Sequence, residues 1–209
     1  MSENKRNLPK GILAIGAHPD DVELGCGGTL AKYAKEGIDI YVLILTHGEK
    51  LSNNGERIEE SMKALSVLGI RHVEFADFKD TKLYEGLAEV ILSIEHSRRK
   101  INPQRVYTAC QHDSHQDHWL TYVATVAACR EIPQILCYET PSSLPTFSPD
   151  IFEDITSFLE LKVQALKNHG SQKEKLYMQR DAITTRAKFR GFQAKVEMAE
   201  AFEACRFLL

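Results

Sequence analysis

Apolar residues in this chain gather in five short runs, and the stretches between them repeat apolar positions every three or four residues. The runs at 12–15 and 38–46 are almost continuous in Ile, Leu and Val, as strands covered on both faces require. Runs at 73–78, 105–110 and 134–139 are shorter and predict three further strands. Helical spacing or composition marks 28–36, 57–68, 85–99 and 119–130. In 57–68 the stripe is Ile58, Met62, Leu65 and Leu68, closed by Gly69. Gly37 stops the first helix in the same way, and Asn102-Pro103 ends the third. After the fifth strand, a loop rich in proline and serine leads to helices expected at 155–167 and 172–188. The Ala- and Glu-rich stretch 194–207 is expected to form a last helix.

Strands alternating with helices predict an α/β fold, a Rossmann-like three-layer sandwich with a mostly parallel central sheet. No repeat or low-complexity linker interrupts 1–209, so a single domain is expected. With Rossmann-like winding the strand order 3-2-1-4-5 sets strands 1 and 4 side by side. The connections after them diverge, and the crevice at their carboxyl ends is where such sheets place their chemistry.

Composition narrows the class. With 43% hydrophobic and 26% charged residues over 209 positions, the chain suits a globular protein with a substantial core. A net charge of −3 gives no general attraction to nucleic acid, and no stretch has the length of a membrane span. The opening MSENKRNLPKG has no apolar signal core. Cys26, Cys110, Cys129, Cys137 and Cys205 are odd in number and include no CxxC, which suits buried thiols in a reducing cytoplasm.

Two polar clusters follow strands 1 and 4: His18-Pro19-Asp20-Asp21, and His112 to His118. His18, Asp21 and His118 make a two-histidine, one-carboxylate set, a common zinc hydrolase arrangement that leaves a place for water. The same donors suit Fe(II), Mn(II) or Co(II). A metal so held acidifies its water and polarises a carbonyl. Asp20, beside one ligand, is placed to accept the water proton. His115, three residues before His118, can stabilise an oxyanion or protonate a leaving amine, and Asp117 can orient one of the imidazoles.

Each motif alone also has an ordinary reading. HPDD is a common polar turn, and HxxH at a helix start often only caps. It is their placement at adjacent strand ends that makes a metal site. His112 and Asp113 read as loop residues, His47, His72 and His96 as surface or loop histidines, and Asp77 and Asp80 as an ordinary turn. Gly25, Gly27 and Gly28 do not complete a dinucleotide fingerprint. GAHPDD stands where GxGxxG belongs, and strand 2 closes on Thr46-His47 rather than on an acidic residue. Those glycines instead permit close approach of helix and loop.

The residues resemble a known family. AHPDDVELGCGGTLAKYAKEG followed by HQDH resembles the zinc-dependent LmbE-like, or PIG-L, N-deacetylases. The similarity extends to LTHGE, RIEESMKALSVLGI, YETP, KVQALKNHGSQ and AEAFE, nearly the whole chain. It implies one catalytic divalent metal per chain, usually zinc, and hydrolysis of an N-acetyl group on an N-acetylglucosamine-type amino sugar conjugate. Carried over by motif, His18, Asp21 and His118 are ligands, Asp20 the base, and His115 the oxyanion or acid group supported by Asp117. Glu23, closing AHPDDxE, would shape the site; Arg57 stands where relatives often contact substrate, and His169 would lie nearby. Gln116 replaces the proline many relatives carry in the second motif. Relatives range from monomers to hexamers, which leaves a homo-oligomer open. The expected specificity loops, 50–55 and 141–149, carry no decisive aromatic or charged cluster. A metal-dependent hydrolase of another amide or ester, or a silent carbohydrate-binding relative, is the alternative.

Overall fold

The structure, a computed structural model, describes residues 8–49 and 55–208, so most of the expected specificity loop 50–55 lies outside the described residues. Seven strands form one sheet: β1 (Ile12–Gly16), β2 (Ile40–Thr46), β3 (His72–Phe78), β4 (Arg105–Ala109), β5 (Gln134–Tyr138), β6 (Ile151–Asp154) and β7 (Ala199–Phe207). Their order is β3-β2-β1-β4-β5-β7-β6. The first five pair in parallel, and β7 runs antiparallel to both β5 and β6. β1 and β4 are thus neighbours, with Ile12 opposite Arg105 and Ala14 opposite Tyr107.

The period of two sorts each strand between the two sides. Ile12 and Ala14 of β1, with Ile40, Val42 and Ile44 of β2, pack against α1 (Asp21–Lys35), α2 (Glu56–Val67) and α5 (Leu159–Leu166). Leu13 and Ile15, with Leu43 and Leu45, pack against α3 (Leu87–Ile101) and α4 (Gln116–Ala128). A sixth helix, α6 (Arg180–Ala194), lies over α5 and the start of α1 through Ile183, Ala187 and Leu24.

Two expectations fail beyond strand 5. The stretch 194–207 is not a helix: β7 occupies 199–207. Ala and Glu favour helix by propensity, but β5 presents an open edge, and Phe202 and Ala204, two apart, face the same core. The helix expected at 172–188 starts only at Arg180, after two short 3-10 turns; β6 fills the stretch between the expected loop and helix, to which no element was assigned.

The glycine-rich start of α1 is shaped by what crosses it. A Cβ on Gly25 would lie 2.2 Å from the Tyr138 ring, so only glycine lets β5 come this close. Tyr138 then donates its hydroxyl to the Ile15 carbonyl at 2.7 Å, tying the carboxyl ends of β1 and β5 together. Tyr138→Phe should therefore cost about 1–2 kcal/mol, read as a lower urea midpoint at unchanged slope. At Cys26 (φ −141°, ψ 16°) the helix breaks and restarts. The N–H groups of Gly28 and Thr29 are taken by the Glu200 carboxylate from β7, at 2.9 and 2.7 Å. That carboxylate also receives Lys162 Nζ of α5.

Candidate active site

The loop from β1 into α1 turns sharply on Asp20, which sits at φ 116°, ψ −24°, a left-handed conformation rarely held by a residue with a side chain. Asp21 closes the turn, its Oδ2 accepting the His18 backbone N–H at 2.8 Å. The turn sets His18, Asp20 and Asp21 along the lip of a cleft of about 420 Å³ at the carboxyl ends of the parallel strands. His115 and His118 reach the same cleft from the start of α4.

Asp21 joins the two imidazoles. Its Oδ2 lies 3.4 Å from His18 Nδ1 and its Oδ1 lies 3.2 Å from His118 Nε2. The opposite nitrogen of each ring rests on further carboxylates. His118 Nδ1 is 3.0 Å from Asp113 Oδ2, and His18 Nε2 is 3.3 Å from Asp117 Oδ2 and 3.1 Å from Asp80 Oδ1. These partners are fixed in turn. Asp117 accepts the N–H groups of Thr81 (2.7 Å) and Leu83 (3.4 Å). Asp113 accepts the Ser142 hydroxyl at 2.7 Å and the Thr140 hydroxyl.

This arrangement fits a divalent cation. Two imidazole nitrogens and a carboxylate converge, each ring oriented by a carboxylate behind it, as ligating histidines usually are. Asp21, Asp80, Asp113 and Asp117 are all buried around only two imidazoles, an excess of negative charge that a cation offsets. Protons fill that role in the metal-free protein. Burial works against charge on His18, yet its hydrogen bonds to Asp117, Asp21 and Asp80 hold its pKa well above the ordinary value. Burial opposes His118 in the same way, and Asp21 with Asp113 pushes it up to about 9.

His115 is different. Its Nδ1 caps α4 by accepting the Asp117 backbone N–H at 3.2 Å, so the neutral ring carries its proton on Nε2. Burial and the neighbouring His118 and His18 lower its pKa, keeping it neutral. Its ring stacks on His118 with centroids 4.6 Å apart. Donor atoms of His18, His115 and His118 all lie within 4.8 Å of one another, and so do those of His18, Asp80 and Asp117. The Asp117 carboxylate bonds His18, while its backbone N–H bonds His115.

Asp20 is 5% exposed. Burial raises its carboxyl pKa to about 6, against the pull of Arg57. Arg57 lines the cleft, but its guanidinium is held by Asp20 Oδ2 at 3.1 Å and by the carbonyls of Pro19 and Gly48. Arg57 thus positions Asp20 from the same cleft wall where a substrate contact is expected of it. Glu23 and His169 fall short of a direct contact. They form a buried pair, His169 Nε2 to Glu23 Oε1 at 3.1 Å, with Ser61 donating to Glu23, and neither lines the cleft. Both act on the charge of Asp20 from behind.

Sequence reasoning passed over Asp80 and Asp113 as turn and loop residues. Each follows a parallel strand at the catalytic edge, and Asp113 stands five residues before His118. That placement was the available signal. His47, by contrast, has an exposed Asp77 as its ion-pair partner among the described residues.

A model of the family described as PIG-L: GlcNAc-PI de-N-acetylase matches residues 13–129. The uncharacterized deacetylase YaiS of Escherichia coli K12 is 44% identical over 81% of this chain and 94% of its own length. The diacetylchitobiose deacetylase of Thermococcus kodakarensis is 29% identical, over 79% of this chain and 71% of its own. Among solved structures, the conserved protein TT1542 of Thermus thermophilus superimposes with a TM-score of 0.85 at 28% identity, covering 97% of both chains. A 4-oxalmesaconate hydratase of Pseudomonas putida is also similar, 29% identical over 93% of this chain and 85% of its own.

Proposed function

The chain belongs to the PIG-L, GlcNAc-PI de-N-acetylase family, and on that premise we propose a metal-dependent enzyme that removes an N-acetyl group from an N-acetylglucosamine-type conjugate. The observation that carries this reading is Asp21 bridging His18 Nδ1 and His118 Nε2, with Asp20 beside it. His18, Asp21 and His118 would hold one divalent cation, zinc by preference, though Fe(II), Mn(II) and Co(II) suit the same donors. Such a cation polarises the acetamide carbonyl and lowers the pKa of water in the site.

The protein's own groups do the rest. Asp20, held by Arg57, takes the proton from the attacking water. His115 donates its Nε2–H to the carbonyl oxygen as charge develops there, and a neutral ring can do so without first losing a proton. The proton on Asp20 then passes to the amine nitrogen as the C–N bond breaks, leaving acetate and the free amino sugar. The described residues include no helix long and apolar enough to cross a membrane. The five cysteines are free, four of them buried, which favours a reducing compartment, and we place the enzyme in the cytoplasm.

The hydratase relative supports a second reading, addition of water across a carbon–carbon double bond. Amine release separates the two. Zinc-loaded protein incubated with free N-acetylglucosamine, diacetylchitobiose and neutral and acidic glycosides of N-acetylglucosamine should liberate primary amine and acetate in equal amounts from at least one. Absence of amine from all of them, with hydration of an unsaturated tricarboxylate, would replace the deacetylase reading by the hydratase one.

A further inference from the structure

The stretch KVQALKNHGSQ ends on a glutamine that the chemistry above does not use. Gln172 closes a short 3-10 turn, Gly170–Gln172, soon after α5. The turn is clamped on both sides: His169 bonds Glu23 of α1, and Ser171 bonds Glu60 of α2. Glu60 accepts the Ser171 backbone N–H at 2.7 Å and the Ser171 hydroxyl at 2.6 Å. With its proton given to a carboxylate, that hydroxyl can only accept from Gln172, whose Nε2 lies 3.2 Å away. The network therefore fixes which way the carboxamide is turned, with nitrogen on Ser171 and Oε1 left over.

Gln172 lines the catalytic cleft and is 2% exposed. Its Oε1 is buried and has no hydrogen-bond partner among the described residues. A buried acceptor without a donor is unfavourable, and a turn held at both ends does not let the oxygen swing out to solvent. We propose that Gln172 is a specificity-determining substrate contact, its Oε1 accepting a hydrogen bond from an uncharged donor of the bound sugar, a ring hydroxyl or the acetamide N–H. This rests on the deacetylase reading and deepens it. Asp20 and Asp21 already line the same cleft, and a carboxamide adds an acceptor there without adding a further negative charge. A compound that lacks the donor leaves Oε1 unpaired and is rejected on that account.

The test compares the zinc-loaded native chain with Gln172→Met, a variant of similar shape without the amide, checked for an unchanged thermal unfolding midpoint. Both receive methyl N-acetylglucosaminide, its 3-, 4- and 6-deoxy analogues, and its N-methylacetamido analogue, which lacks the amide N–H. On the native chain one of the four altered compounds should lose about 10- to 100-fold in kcat/KM, mainly in KM. Gln172→Met should lose a similar factor on the parent glycoside and treat that one compound and the parent alike, within about threefold. A deoxy analogue in this place names the hydroxyl; the N-methyl analogue names the acetamide N–H. Native kcat/KM in Gln172→Met, or a variant that discriminates among the five as the native chain does, overturns the proposal and leaves the oxygen to a buried water. Should Gln172→Met unfold early, Gln172→Asn, which draws the oxygen back by one methylene, is judged in the same way. If the native chain cleaves none of the five, the deacetylase reading is what has failed. Calorimetric binding of the same compounds then decides Gln172 separately, with equal affinities for the native chain and Gln172→Met counting against it.

Discussion

Asp20→Asn should lower kcat for deacetylation by about 10²- to 10⁴-fold, the usual worth of a positioned general base, while the protein still binds one metal ion per chain. The substitution isolates the proton-accepting function. Asparagine is nearly the same size, tolerates the left-handed backbone that Asp20 adopts, and keeps an oxygen for Arg57. Among the described residues no hydrogen bond or ion pair of His18, Asp21 or His118 runs to the Asp20 carboxylate, so metal content measured after dialysis should match the native value. KM should move little, because the lost interaction forms only as the water gives up its proton. Native turnover in Asp20→Asn would remove this residue as the base and pass the role to another group on the cleft.

The second large effect concerns the metal itself. His118→Ala should leave dialysed protein without stoichiometric zinc and reduce activity to that of the chelated native enzyme. Asp113→Asn should be graded instead: it keeps the nitrogen ligand but removes the carboxylate that orients it, weakening zinc binding by about 10- to 100-fold. The pH dependence has a definite sign. In the metal-free protein His118 holds its proton up to about pH 9, and His18 is also raised. Ligation needs those lone pairs, so binding should release protons, and affinity should weaken as pH falls below about 9. Calorimetry in buffers of different ionisation enthalpy counts the protons directly. Retention of stoichiometric zinc by His118→Ala would show that the ion sits on another donor set, with His18, Asp80 and Asp117 the first to examine.

The parallel half of the fold was legible because β1 and β2 are buried on both faces and write nearly continuous apolar runs, the other three recur between helical stretches, and the right-handed winding of such units then sets their order. The second half was not. Residues 199–207 have a helical composition, and only the open edge of β5 makes them a strand, a long-range cause that no local window contains. The site divides in the same way. His18, Asp21, His115 and His118 stand in two compact motifs that sequence can bring together through topology alone. Asp80 and Asp113 acquire meaning only from the nitrogen atoms they face. Arg57 carries a role that sequence does not show: three-dimensional packing sets its guanidinium against Asp20.

The Glu200 carboxylate, which serves the restarted half of α1, gives β7 an unexpected importance. The first half of that helix begins at the turn that carries Asp20 and Asp21, and Lys162, held by Glu200, donates to the Leu24 carbonyl of that half, so the turn is braced through a side chain contributed 180 positions downstream of Asp20. Deletions or frameshifts that remove β7 should therefore behave as losses of catalysis, not as the trimming of a dispensable tail. For protein engineering, a split reporter cut before Ala199 would join its halves through the very contact that braces the restarted half of α1.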